Sequence, residues 1–254
     1  MKLLKTENLS KDFAGFRAVN EVNFELEEGM LVSIIGPNGA GKTTFFNLIT
    51  GLHPPTKGRV FFKGEDITQL EPYERLMKGL SRTFQIVNIF PGLSVFDNML
   101  IAMLRRNIKW SNLRASFFSG SSKGHSKAEE GAYAIMEEVG LIDRKDGLAG
   151  SLPHGYKKRL EISMAIASEP TLLLLDEPFG GLSPVEIKEM MAFTRKISNR
   201  LTIVLVEHKL DTVMDLSQRI SVLHEGGIIA EGKPKEIREN EFVQEVYLSG
   251  RGSK

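Results

Sequence analysis

The chain has 254 residues, 41% of them hydrophobic, which is enough to bury a substantial core in one domain with room for a subdomain. Its 33 Lys and Arg face 32 Asp and Glu, and the net charge of +1 argues against the broad basic field on which nucleic-acid binding usually rests. Zero cysteines exclude disulfides, thiolate metal sites and a cysteine nucleophile; with no membrane-length apolar run and no secretory pattern, a cytoplasmic protein is expected.

Leu3 to Leu9, Val22 to Leu26 and Arg59 to Phe62 are short β-prone runs with polar alternation, which predict an antiparallel edge layer with one wet face. Leu31 to Ile35, Thr171 to Leu175 and Leu201 to Val206 are nearly continuous apolar runs, the pattern of strands buried on both faces of a parallel sheet. Each gives way to a polar or glycine-bearing turn and then a helical pattern, so ligands are expected at the carboxyl ends of these strands. Between about Ile86 and Leu160 strand signals are scarce. Helical stretches such as Lys127 to Val139 surround a Ser/Gly/Lys-rich piece, Ser119 to Lys127, read as a mobile loop in a helical subdomain. Ile220 to His224 and Ile228 to Glu231 flank Glu225-Gly226-Gly227 and predict a hairpin turning on glycine, followed by a closing helix from about Pro234.

Gly36-Pro37-Asn38-Gly39-Ala40-Gly41-Lys42-Thr43 fits the pattern G-x-x-x-x-G-K-S/T between an apolar strand and the helical run Thr44 to Thr50, with Gly51 as the stop. Glycines let successive N–H groups turn inward around phosphate oxygens, and the helix N-terminus adds positive potential. Lys42 can reach the β- and γ-phosphates, and the Thr43 hydroxyl would hold Mg²⁺. Gly36, Asn38, Gly39, Ala40, Gly41, Lys42, Thr43 and Thr44 are therefore the expected nucleotide-binding residues. A chance glycine-rich turn is the competing explanation, and the strand-loop-helix setting argues against it. The loop specifies a nucleoside triphosphate without fixing the base. The lack of an N-K-x-D guanine reader tilts the choice to ATP, and GTPase-like or kinase use is left for other residues to exclude.

Asp176-Glu177-Pro178 follows the run Leu172 to Leu175, so two carboxylates stand at the end of a buried strand. Asp176 would act on the metal and Glu177 on the attacking water, since phosphoryl transfer mainly needs positioning and charge stabilisation. Acids also favour ordinary solvated helix starts, which is the simpler reading of either alone. His208 closes the strand that ends Val206-Glu207-His208, a position from which an imidazole could sense a γ-phosphate. The other four histidines lack such a setting, although His154 falls within a motif treated next.

Taken in order along nearly the whole chain, these motifs resemble the ABC ATPase family. The resemblance implies an α/β fold: a P-loop NTPase core with a mostly parallel sheet, an antiparallel β edge subdomain and an inserted α-helical subdomain. Residues 1–254 would form one nucleotide-binding domain, with 1–85 and 161–254 as RecA-like core plus β layer and 86–160 as the helical insert. Thr83-Phe84-Gln85 looks like the glutamine loop, whose Gln85 would join the Mg²⁺ shell. Leu152-Pro153-His154-Gly155-Tyr156 occupies the position of the L-S-G-G-Q signature, just before a helix, which in the family caps the ATP of an opposite subunit. Pro153 replaces its serine and Tyr156 its glutamine; Pro153 supplies neither a side-chain donor nor an N–H, leaving His154 or the Gly155 amide to compensate. Gly180-Gly181-Leu182-Ser183-Pro184 is similar to the D-loop, with Ser183 where an acid is usual. Phe13 matches the aromatic that stacks on adenine and Val19 a neighbouring position against the same base, although Phe13 could equally be core.

Within that family, Phe45 to Gly51, Gly64 to Thr68, Arg82 to Gln85, Arg159 to Ile162, the ending Val246-Tyr247-Leu248 and a basic helical insert around Arg105 to Ser119 look like branched-chain amino-acid importer ATPases. The lipopolysaccharide-export ATPase is the rival, similar at Asp176 to Phe179 and at the Tyr-Leu ending. The implied assembly has two ATPase subunits, as homodimer or heterodimer with a paralogue, on two integral membrane permease subunits. An extracytoplasmic solute-binding protein would act through those permeases, and the chain would lie on the inner face of the membrane. Gln85 to Asn98 would receive a permease, while Phe90, Leu93 and Phe96 taken singly are expected in the core. A nucleotide-gated dimerisation module with weak hydrolysis is the alternative that Pro153 raises.

Overall fold

The computed structural model describes residues 2–85, 87–107, 122–208 and 210–249. Contacts divide the chain into two compact units: Met1–Arg82, Thr171–Gly180 and Thr194–Lys254 form one, Thr83–Pro170 and Gly181–Phe193 the other. The expected insert 86–160 falls wholly in the second unit, which also takes in 83–85, 161–170 and 181–193.

The first unit carries two sheets. In the antiparallel one, β1 (Lys2–Phe13) lies between β2 (Phe16–Glu27) and β4 (Lys57–Phe62), with the two-residue β5 (Glu65–Asp66) outermost. Ala14 and Gly15 both have positive φ, 44° and 89°, the conformation a two-residue turn needs to match strand twist, so Phe13 and Phe16 end as a cross-strand pair. The second sheet runs β10 (Gly227–Gly232), β9 (Arg219–His224), β3 (Leu31–Ile35), β8 (Thr202–Glu207), β7 (Leu172–Asp176), β6 (Leu80–Arg82); all pairings are parallel except β9 with β10. Every residue of β3, β7 and β8 is buried, as their unbroken apolar sequences predict. The register sets Ile35 beside Glu207 and Asp176 beside Val206, so the loops leaving these three strands start at one level.

Helix α1 (Lys42–Thr50) follows β3 directly and stops at Gly51, whose φ of 80° is the left-handed cap that glycine adopts without strain. Below it, α2 (Pro72–Met77) delivers Arg75, 1% exposed, whose guanidinium donates to the carbonyls of Leu48, Ile49, Thr68 and Leu70. Burial lowers its pKa to about 10. Helix α7 (Leu210–Leu216) lies between β8 and β9; after the β9–β10 hairpin, which turns on Glu225 and Gly226, the closing helix is broken into α8 (Pro234–Glu239) and α9 (Glu241–Ser249), with Asn240 in extended backbone between them.

In the second unit, α3 (Val95–Asn107) packs on α4 (Ser122–Val139), and each buries a stripe at i, i+4 spacing, Val95, Met99 and Met103 on α3 and Ala128, Ala132 and Met136 on α4. Helix α4 begins at Ser122, so the piece Ser119 to Lys127 is helix rather than loop from Ser122 onward; the basic insert lies outside the described residues beyond Asn107. Helix α5 (His154–Ile166) starts within the signature-like segment, and α6 (Pro184–Ser198) follows Ser183. Phe90 and Leu93 are not core: they are 48% and 38% exposed, on a loop pinned by the buried Asn98, whose amide bonds both the N–H and the carbonyl of Phe90. Phe96 is half-buried against the ring of Tyr133.

Candidate active site

Gly36 and Gly41, at the two ends of the phosphate loop, are fixed by contact as well as by backbone angle. A Cβ on Gly36 would come to 2.0 Å from the Leu223 carbonyl oxygen, and one on Gly41, φ 98°, to 2.2 Å from that of Ala18. The loop is thus pressed between β2 and β9, and the Gly226 N–H donates to Ala40 O while Gly226 O accepts from Asn20 N. Lys42 opens α1 with its ammonium on the carbonyls of Gly36 and Pro37, 2.7 and 2.8 Å away. Burial lowers its pKa, and the negative field of Glu177, Asp176 and Glu207 acts in the opposite sense. Thr43 is exposed at the helix start and Thr44 is half-buried.

Strand β7 ends on Asp176, 2% exposed, whose carboxylate accepts from the Arg82 guanidinium at 2.7 Å; Arg82 also donates to Asn47 Oδ1 at 2.5 Å. Asn47 lies one turn beyond Thr43 on the same face of α1, so Arg82 ties the acid to the helix that carries the threonine hydroxyl. Glu177 then adopts φ 48°, a left-handed backbone uncommon for a residue with a Cβ, held by its N–H to Val206 O at 3.0 Å. The turn sends the two neighbouring carboxylates to different surroundings. Glu177 Oε1 lies 3.9 Å from His208 Nδ1.

Glu207 supports the site without matching any motif in the sequence. Fully buried, it accepts the Phe179 N–H at 2.9 Å and the His208 N–H at 3.2 Å, so one carboxylate holds both the chain leaving the acid pair and the chain carrying the histidine. Burial raises its pKa against the lowering effect of those amides and of the His208 charge. Its signal was an acid ending an otherwise apolar strand, where an acid is costly without donors. Phe16, at the β1–β2 turn, lies beside the phosphate loop. Half-turned to solvent at 65% exposure, it lines a depression of about 350 Å³ with Pro37, Asn38, Gly39, Ala40 and His224. Phe13 instead stands edge-on to His53, 5.6 Å between centroids, and Val19 is wholly buried in the core cluster.

The remaining expected residues belong to the second unit: Gln85 near its beginning and Leu152 to Tyr156 at the start of α5. Leu152 is buried and Pro153 takes the N-cap position, so His154, Gly155 and Tyr156 form the first helical turn instead of preceding it. The Gly155 N–H donates to Glu186 Oε1 at 3.2 Å, and the other oxygen of Glu186 accepts the N–H and hydroxyl of Ser183 at 2.9 and 2.7 Å. Glu186 brings an acid to Ser183, where the resemblance expects one. Ser183-Pro184-Val185-Glu186 is a capping-box spacing, and that signal was present in the sequence. Tyr156 lies between Arg144 and Arg159, whose guanidinium carbons are 4.1 and 5.2 Å from its ring centre.

Residues 19–180 match the family described as ABC transporter. The chain belongs to this family. It is an ABC ATPase subunit, similar along its length to the high-affinity branched-chain amino acid transport ATP-binding protein BraF of Pseudomonas aeruginosa, at 38% identity over 97% of each chain. The lipopolysaccharide export system ATP-binding protein LptB of Haemophilus influenzae is 31% identical over 98% of each. Among solved structures, an ATP-binding cassette of an ABC transporter in its ADP conformation superimposes with a TM-score of 0.84 at 32% identity, covering 98% of this chain and 99% of that one.

Proposed function

We propose that this ABC ATPase is the motor of a branched-chain amino-acid importer, binding ATP with Mg²⁺ at the loop Gly36–Thr44 and hydrolysing it with water aligned by Glu177. The observation that carries the reading is the meeting, on one sheet edge, of Lys42, the metal-type acid Asp176, the strained Glu177 and His208. The Thr43 hydroxyl and the Asp176 carboxylate are the hard oxygen donors that Mg²⁺ prefers, and Arg82 pairs with the buried Asp176 and holds it in place, so the residues suit the metal. Bound Mg²⁺ would neutralise charge on the phosphate oxygens, with Thr43, Asp176 and Gln85 holding it. Lys42 neutralises and orients the triphosphate. Glu177 accepts a hydrogen bond from the water, and His208, within reach of Glu177, fixes the carboxylate's direction. Phe16 and the β1–β2 turn offer the base a flat apolar face beside the phosphate loop, with Phe13 as the other candidate.

The site is completed by a second ATPase subunit meeting the α5 start at Pro153 to Tyr156. Residues 1–254 act as one nucleotide-binding domain. Among the described residues no helix is long and apolar enough to cross a membrane, so transport needs permease partners. The exposed Phe90, Leu93 and Leu148 offer them an apolar face at the inner side of the cell membrane. Glu177→Gln is expected to retain ATP binding, accumulate the nucleotide-bound dimer and lose about 10²-fold or more in turnover, measured by phosphate release. Near-normal turnover would remove Glu177 from the mechanism.

A further inference from the structure

Glu161 lies on α5, two turns beyond the signature-like start, and is 7% exposed. A buried glutamate is costly unless donors meet it. Here a single oxygen, Oε1, accepts the backbone N–H of Phe84 and that of Asn88, both at 3.2 Å. The two amides bracket Gln85. Burial nevertheless raises the Glu161 pKa, Lys158 and the amides acting against it, so the group is kept in an apolar setting at some cost. No step of the hydrolysis described above uses this carboxylate. At about 1.5 Å per residue, α5 puts it roughly 10 Å along a rigid helix from His154.

We propose that Glu161 is a positioning residue: it clamps the glutamine loop to the helix whose first turn meets the opposite subunit, so that Gln85 and the signature-like turn move together. This rests on the reading that Gln85 serves the nucleotide site. The helix then acts as a lever, one end touched by the second ATPase and the other gripping the loop that faces the permease. A carboxylate suits the task because one oxygen can take two amides in a bifurcated arrangement, and a neutral acceptor of the same shape preserves it.

The test compares Glu161→Ala, Glu161→Gln and Gln85→Ala in the full-length chain, by amide hydrogen exchange and by ATPase kinetics. The Ala variant should speed exchange at Phe84 and Asn88 by about tenfold, the loss of roughly one hydrogen bond to a charged acceptor, while the amides of the phosphate loop stay unchanged. Its kcat should fall towards that of Gln85→Ala with KM for ATP retained, and Glu161→Gln should restore both exchange and kcat. The Gln variant keeps the conclusion testable where the Ala variant folds poorly, since loss of protection at Phe84 and Asn88 in a well-folded Gln variant would itself contradict the clamp. Unchanged exchange in Glu161→Ala overturns the proposal, as does normal kcat in Glu161→Ala when Gln85→Ala is slow. Normal kcat in Gln85→Ala would instead overturn the role given to Gln85, with the exchange data still deciding the clamp.

Discussion

Two glutamates in the strand-end region of the first unit are held by opposite means. Glu177 is forced into left-handed backbone, a state that costs on the order of 1 kcal/mol for a residue with a Cβ, and it keeps its carboxylate 21% exposed where water can reach it. Glu207, wholly buried, spends its charge on two amides. Because burial raises the Glu207 pKa above its ordinary value in an unfolded chain, the folded state holds that proton more tightly than the unfolded chain does. Its stabilising contribution is therefore complete below that unfolded value and is lost as pH rises through the folded one. Wild type is expected to lose stability relative to Glu207→Gln as pH rises from the acid range towards neutrality, read from urea midpoints at each pH. Parallel pH profiles for the two proteins would refute this assignment.

At the scale of elements, α1 must present Lys42 and Thr43 at one end and be anchored at the other. Arg75 does the anchoring: its guanidinium takes the carbonyls of Leu48 and Ile49 in the last turn and joins them to Thr68 and Leu70. Arg75→Leu would leave those acceptors buried without donors and should lower unfolding stability by about 3 kcal/mol, measured by denaturant titration. A loss below about 0.5 kcal/mol would show that the carbonyls find other donors. Neither Arg75 nor its helix was legible in advance, because α2 is six residues long and shows no full helical period. The same holds for β6, three residues reading Leu-Ser-Arg, although it delivers the arginine that meets Asp176. By contrast β3, β7 and β8 could be read directly, since burial on both faces leaves an unbroken apolar run. The loop with Phe90 and Leu93 misled for the converse reason: aromatic and aliphatic side chains usually mark a core, and here Asn98 holds the backbone in a shape that turns them outward.

Across the whole molecule, the motif residues of the site were legible and their supports were not. The phosphate loop, Asp176, Glu177 and His208 follow from residue type at the end of an apolar strand. Arg82 and Gly226 act through contacts between distant segments that no local pattern encodes, whereas Glu186 and Glu207 carry only the weak local signals of a capping-box spacing and an acid ending an apolar strand. Gly226 is the most remote of these from the phosphate loop in sequence, and at φ 79° a Cβ there would lie 3.0 Å from the Ala18 carbonyl oxygen. Gly226→Ala should therefore disturb the bond to Ala40 and weaken ATP binding by about tenfold, measured by equilibrium titration, with unfolding stability changed by only ~1 kcal/mol. Unaltered affinity would show that the hairpin only neighbours the loop.

The stitch from Gly226 to Ala40 and Asn20 also sets an order of events during synthesis. A chain emerging from the ribosome displays its phosphate-binding motif well before Gly226, which braces it, has been translated. The loop's support at Ala40 and Asn20 therefore waits on the β9–β10 hairpin.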